Sequence, residues 1–167
     1  MRGMPIAAVV SLLGLSVAMP ALGDESPETI QGRARAKPMI EACIAAAQTV
    51  EAMRACKRIV FKPCTQEEDN RDSTLGLVMC NDREGEAWDA LLKSRSADLA
   101  KRDAYRAKAL SAANAAWVKW VDAECDFHRA EAQGGSAEGV ITTECKSDLT
   151  AERVISLTLQ LRGKLPY

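Results

Sequence analysis

From residue 38 onward, apolar residues recur three or four apart between charged runs, and no alternating stretch exceeds four residues. That period belongs to helices packed by one face. Met39, Ile40, Cys43, Ile44 and Ala47 form a first stripe behind Pro38, a residue suited to the first turn of a helix. Gln48-Thr49 interrupts it, and Thr49 can cap a second helix with Glu51 in its first turn. Val50, Met53, Cys56 and Val60 continue that helix until Pro63 ends it. The result is a helical hairpin, with Cys43 and Cys56 placed almost symmetrically about its centre. Cys64 to Met79 reads as a polar loop closing at Cys80. No Pro then occurs before Pro166, which favours long helices. Glu84, Trp88, Leu91, Leu92, Arg95 and Leu99 mark one; Tyr105, Ala109, Ala112, Ala113, Trp117, Trp120, Val121 and Cys125 mark the next, with a break expected inside the charged run Ser94 to Arg106. Gln133 to Ser136 is a second break. Ser136 can cap a short helix through Val140 and Ile141 to Cys145. Asp148 or Thr150 can cap a last one, with Val154, Leu157 (or Thr158) and Leu161 inward and Gly163 at its end. The fold class is all-α, a small disulfide-stapled bundle of about five helices with no significant sheet.

The first 23 residues change the picture of compartment. Arg2, the apolar run Ile6 to Leu22 and the small-x-small end Ala21-Leu22-Gly23 read as a signal peptide cut before Asp24. An uncleaved anchor fits less well, because the run is at the short limit for spanning and Asp24 and Glu25 follow it rather than basic residues. The organisation is then 1–23 leader, 24–37 flexible lead-in, and 38–167 one helical domain, made of a Cys-rich hairpin and loop (38–81) and a helical core (82–167). The expected location is the periplasm or the exterior, without stable membrane insertion. Losing Arg2 moves the formal charge from −1 to −2. Lys and Arg are scattered among Asp and Glu along the chain, so nucleic acid is not an expected partner.

All six Cys, at 43, 56, 64, 80, 125 and 145, follow the leader, and in an exported chain three disulfides are the default. Six Cys allow 15 connectivities. The hairpin favours Cys43–Cys56. A Cys64–Cys80 bridge explains a long polar loop, with a closure worth about 3 kcal/mol in the chain-entropy model. Cys125 and Cys145 can staple the Gly134-Gly135-Ser136 turn. Zinc is poorly supported, because there is no C-x-x-C pair and His128 is the lone His. No cofactor is expected.

The run Trp117 to Cys125, then Gly134-Gly135-Ser136, Cys145 and Thr150-x-x-Arg153, resembles the LprI-like family of bacterial lysozyme inhibitors. Cys43, Cys56, Cys64, Thr74-Leu-Gly-Leu-Val-Met-Cys80, Glu84 and Trp88-Asp89 are similar to a proteobacterial branch of it. The resemblance covers Met39 to Leu161 and implies a small helical, disulfide-bonded envelope protein that protects peptidoglycan by occluding lysozyme. The namesake type is lipid-anchored, and this chain has no lipidation Cys. The alternative is a non-catalytic interaction module of the envelope, with another envelope protein as partner.

Four constellations carry what chemistry there is. Cys125-Asp-Phe-His128 has the gap of a metal pair, and Glu124 shares a helix face with His128, but no convergent partner makes a catalytic site. They read as a disulfide half and a surface His favoured at a helix end. Asp122, Glu124 and Arg153 are expected to form an ion pair locking the last helix onto the Trp helix. Trp117 and Trp120, spaced three apart among Ala residues, read as core, as does Trp88, although the arc between them leaves room for one of the pair to be partly exposed; the competing reading of the pair is a sugar-stacking platform. Gly134, Gly135 and Ser136 form either a tight connection or a pre-ordered binding loop.

Overall fold

The computed structural model describes residues 27–67 and 73–164. The leader and its cleavage point lie outside them. Six α-helices and one 3-10 turn make up the described chain, which contains no strand: α1 (Pro27–Ala46), α2 (Val50–Arg54), α3 (Phe61–Cys64), α4 (Thr74–Ala100), α5 (Ala104–Arg129) and α6 (Glu138–Leu161), with the 3-10 turn Ala130–Ala132 between the last two.

Helices α1, α4 and α6 run the same way. Arg33 pairs with Glu86 and Glu41 with Arg95, while Gly139 abuts Val78 and Gly85 abuts Ser147. Two return segments connect them. The first, α2 and α3, runs back along α6, with Arg54 on Glu152, Lys57 on Asp148 and Arg58 on Glu144. The second is α5, antiparallel to α6. The core lies among α1, α4, α6 and the first return: Ile40, Ile44, Met53, Val60, Trp88, Leu91, Val154, Ile155 and Leu159.

Several local expectations need correction. The stretch expected as a loose lead-in is helical from Pro27, and Pro38 sits inside α1. Proline costs the helix one hydrogen bond there, while Ala36, Ile40 and Ile44 on either side of it are buried and hold the helix down. The second helix stops at Arg54 rather than continuing to Val60, and Pro63 lies within α3 instead of ending a hairpin. The cause is Glu84. Its carboxylate, 1 % exposed, accepts hydrogen bonds from the backbone N–H groups of Arg58 (2.6 Å), Val60 (3.0 Å) and Phe61 (2.7 Å), and from Trp88 Nε1 at 3.4 Å. A buried acid placed at α3's open N–H groups satisfies donors a helix start leaves unpaired. Arg58 adopts φ +69° to make that turn.

The polar loop after Cys64 is shorter than expected, because Thr74 to Met79 is already helix, started by Ser73, whose hydroxyl accepts from Gly76 N. At the other end, the short helix and the last helix are one. α6 runs unbroken from Glu138, and Ser136 caps nothing. No Gly or Pro lies between Val140 and Leu161, and the helical period carries the buried set Ser147, Thr150, Ala151, Val154 and Leu157 without a break. Gly163 ends it as expected, at φ +73°, with Lys164 N bonded to Leu159 O and Gly163 N to Gln160 O. Arg162 then reaches α1 and donates to the carbonyls of Ile44 and Ala47, both at 2.7 Å. It supplies the cation that α1 lacks in its own last turn.

The disulfides join Cys43 to Cys56, Cys64 to Cys80 and Cys125 to Cys145, the pairs favoured from spacing, and no cysteine is free. Cys43–Cys56 ties α1 to the first return, Cys64–Cys80 ties α3 to α4, and Cys125–Cys145 ties α5 to α6. Among the described residues no helix is long and apolar enough to cross a membrane.

Candidate binding face on helix α5

Helix α5 starts where the charged run breaks. Asp103 accepts from the N–H groups of Tyr105 and Arg106 and so opens the helix. Its fastening to the rest of the molecule is thin. Along 26 residues only Val121 and Cys125 are buried. Ala-rich faces let α5 approach α6 closely, but they bury little.

The expectation that Trp117 and Trp120 are both core fails at Trp120. Trp117 is half-buried and Trp120 is 50 % exposed. Trp88 alone of the three is core, at 0 %. The buried side of α5 points at Val121 and Cys125, one helical turn apart. Trp120 lies about 100° round the helix from Val121, on an outer flank left open to solvent at Trp120 itself. Trp120, Glu124, Phe127, His128 and Glu131 follow one another at helical spacing along that flank. Phe127 is 68 % exposed, and its ring lies 5.5 Å from that of His128.

The expected ion pair is also absent. Arg153 donates to Asn114 Oδ1 at 2.9 Å, while Asp122 pairs with Lys146 at 2.9 Å and Glu124 with His128 at 3.5 Å. Arg153 still links α6 to α5, but through a neutral amide. Asn114 is held in place by a second bond, from its Nδ2 to Ser96 Oγ on α4. Asn114 had no role in the sequence reading; its position two helical turns before Val121, on the same face, was the available signal.

Beside the flank, α5 and α6 enclose a groove of about 330 Å³ lined by Glu124, His128, Glu131, Ile141, Glu144, Cys145, Asp148 and Leu149. Its floor is apolar and its rim acidic. His128 touches two rim carboxylates, Glu124 and Glu131, the second at 3.9 Å; Glu144 and Asp148 face Arg58 and Lys57. No group of His, Cys, Asp and Glu among the described residues is arranged to hold a metal.

The near-neutral chain therefore sorts its charge by segment. Residues 120–152 contain eight acids against Arg129 and Lys146, a formal −6 with His128 neutral; residues 101–119 contain five bases against Asp103, a formal +4. The acidic end is also the stapled end. Cys125–Cys145 closes it, the 3-10 turn ends at Gln133 in a left-handed conformation, and Gly134 follows at φ +83°. Gly134 N donates to Glu138 Oε1 at 2.9 Å, and Glu138 meets Arg129 at 3.6 Å. Gly134, Gly135 and Ser136 are exposed and thus form a braced tip.

Residues 64–157, from the half-cystine ending α3 to near the end of the α6 stripe, match the family model described as Lysozyme inhibitor LprI. The chain belongs to the LprI family. The match takes in α4, α5, most of α6, the acidic groove and the braced tip. It leaves out α1, α2 and the Cys43–Cys56 staple, which the LprI match does not need. No curated protein and no solved structure matches the chain.

Proposed function

We propose that the chain is an exported, non-catalytic binder of lysozyme that protects peptidoglycan by covering the enzyme. The observation that carries this reading is the outer flank of α5, where Trp120 and Phe127 are exposed beside an acid-rimmed groove, on a member of the LprI family. Large aromatic side chains exposed on a rigid element are favoured anchors at protein interfaces. Residues 120–152 have a formal −6, which falls to −3 with Arg54, Lys57 and Arg58 seated on Glu152, Asp148 and Glu144, and the remaining negative charge speeds encounter with a strongly basic enzyme such as lysozyme. The Cys125–Cys145 bridge and the Glu138 contact to Gly134 hold the tip in one shape, which lowers the ordering entropy lost on binding. Export supports the reading: three disulfides persist in oxidising compartments such as the periplasm. The one His, on two carboxylates, and the absence of any free thiol give no nucleophile–base pair on this face.

The test is lysis of peptidoglycan by purified lysozyme with and without a molar excess of the oxidised protein from Asp24 to Tyr167. Dose-dependent inhibition that disappears on reduction is expected. A folded, oxidised protein that leaves lysis unchanged would refute the assignment, and would direct the same face to another envelope protein.

A further inference from the structure

The opposite, basic end of α5 contains a second concavity, of about 290 Å³, between the end of α4, the first half of α5 and the last turns of α6. That size is close to the lower end of small-molecule sites, about 300–1,000 Å³. Its floor is aliphatic: Leu99 and Leu157 are buried, Leu110 is half-buried, and Ala109 and Ala113 complete the wall. Its polar lining is Arg106, Arg153 and Gln160, with no Asp or Glu among the lining residues.

Arg153 is the unusual member. A half-buried guanidinium is ordinarily matched by a carboxylate, because taking a charge out of water costs several kcal/mol unless it is compensated. Here its bond goes to the neutral amide of Asn114, which Ser96 orients, and its Nε–H is buried with no acceptor. Burial lowers its pKa, with no opposing contribution from a nearby acid. Two cations over a hydrocarbon floor, in the part of the chain with a formal +4, lack an anion.

We propose that this groove is a binding site for a small amphiphilic carboxylate, with its head on Arg153 and Arg106 and its hydrocarbon body on Leu99, Leu110 and Leu157. A linear hydrocarbon suits it better than a peptide end, since a peptide would bury amide groups against Leu and Ala with few partners to satisfy them. The site is separate from the acidic face, and occupancy would brace α5 where its own burial is least.

Isothermal titration of sodium decanoate into the oxidised full chain, below its micellar range, tests this. Saturable one-to-one binding is expected, with acetate and decyltrimethylammonium failing to bind. Arg153→Gln is expected to weaken decanoate about tenfold or more, as for a lost charged hydrogen bond. Leu110→Glu, which places a competing carboxylate inside the groove at a position that packs no core, is expected to abolish binding and keeps the test decisive if Arg153→Gln does not fold. Absence of saturable decanoate binding would overturn the proposal. So would equal affinity for decyltrimethylammonium, or unchanged affinity in a folded Leu110→Glu protein.

Discussion

Helices α4 and α5 are almost the same length, 27 and 26 residues, and both present Trp, Leu, Ala and mixed charge at helical spacing. They do opposite work. α4 buries Trp88, Leu91 and Leu99, and it also buries polar groups that other segments depend on: Asn81 accepts from Arg58, Arg83 grips Glu67, and Glu84 starts α3. α5 buries Val121 and Cys125 and leaves Tyr105, Val118, Trp120 and Phe127 in solvent. Aromatic residues at helical spacing thus mark a face without saying what covers it. In α4 the cover is α1 and α6. On the outer flank of α5 it is supplied, in our account, by a partner.

The contrast can be broken first at Trp88. Trp88→Ala is expected to cost about 3–5 kcal/mol by chemical denaturation, whereas Trp120→Ala is expected to stay within about 0.5 kcal/mol. Similar losses at both positions would place Trp120 in a core after all. Glu84→Ala strands the N–H groups of Arg58, Val60 and Phe61 and is expected to cost about 3 kcal/mol. Hydrogen exchange should then accelerate in 58–64 before it does in α5. Replacing Cys125 and Cys145 together by Ser removes the main fastening of α5 and is expected to cost roughly 3 kcal/mol. That loss should appear mainly as faster exchange in α5 and the 133–137 tip, with α4 little changed. A smaller loss, about 1 kcal/mol, is expected from Arg153→Ala, because its partner is an amide and not an acid. A loss several-fold larger would indicate an ion pair that the structure does not contain.

Much of this was legible in the chain. The all-α class followed from the three-to-four period, the caps at Thr49 and Gly163 from their residue types, and the favoured cysteine pairs from spacing. What was not legible depended on contacts distant in sequence. Nothing near Arg54 says that the second helix must stop there, since the acid that holds the following turn, Glu84, lies 26 residues beyond the Arg58 N–H it accepts from. Asp148 and Thr150 are good cap residues, and only α6's continuous burial against α4 shows that they are helix interior. Arg153 has two plausible acids in sequence, yet Lys146 and His128 take them. Trp117 and Trp120 have core composition, and only the placement of α5 on the outside of α6 leaves Trp120 exposed. The charge division, basic over 101–119 and acidic over 120–152, was legible in the sequence segment by segment and is hidden only when charge is counted over the whole chain.

The most direct measurement is inhibition of lysozyme by the Trp120→Ala, Phe127→Ala double variant, compared with the unaltered oxidised protein, with folding of both checked by thermal unfolding. The account predicts unfolding midpoints within a few degrees of each other and inhibition weakened at least about tenfold, as for truncation of interface anchors. Equal inhibition by the two folded proteins would contradict it, and would remove the outer flank of α5 from the binding face.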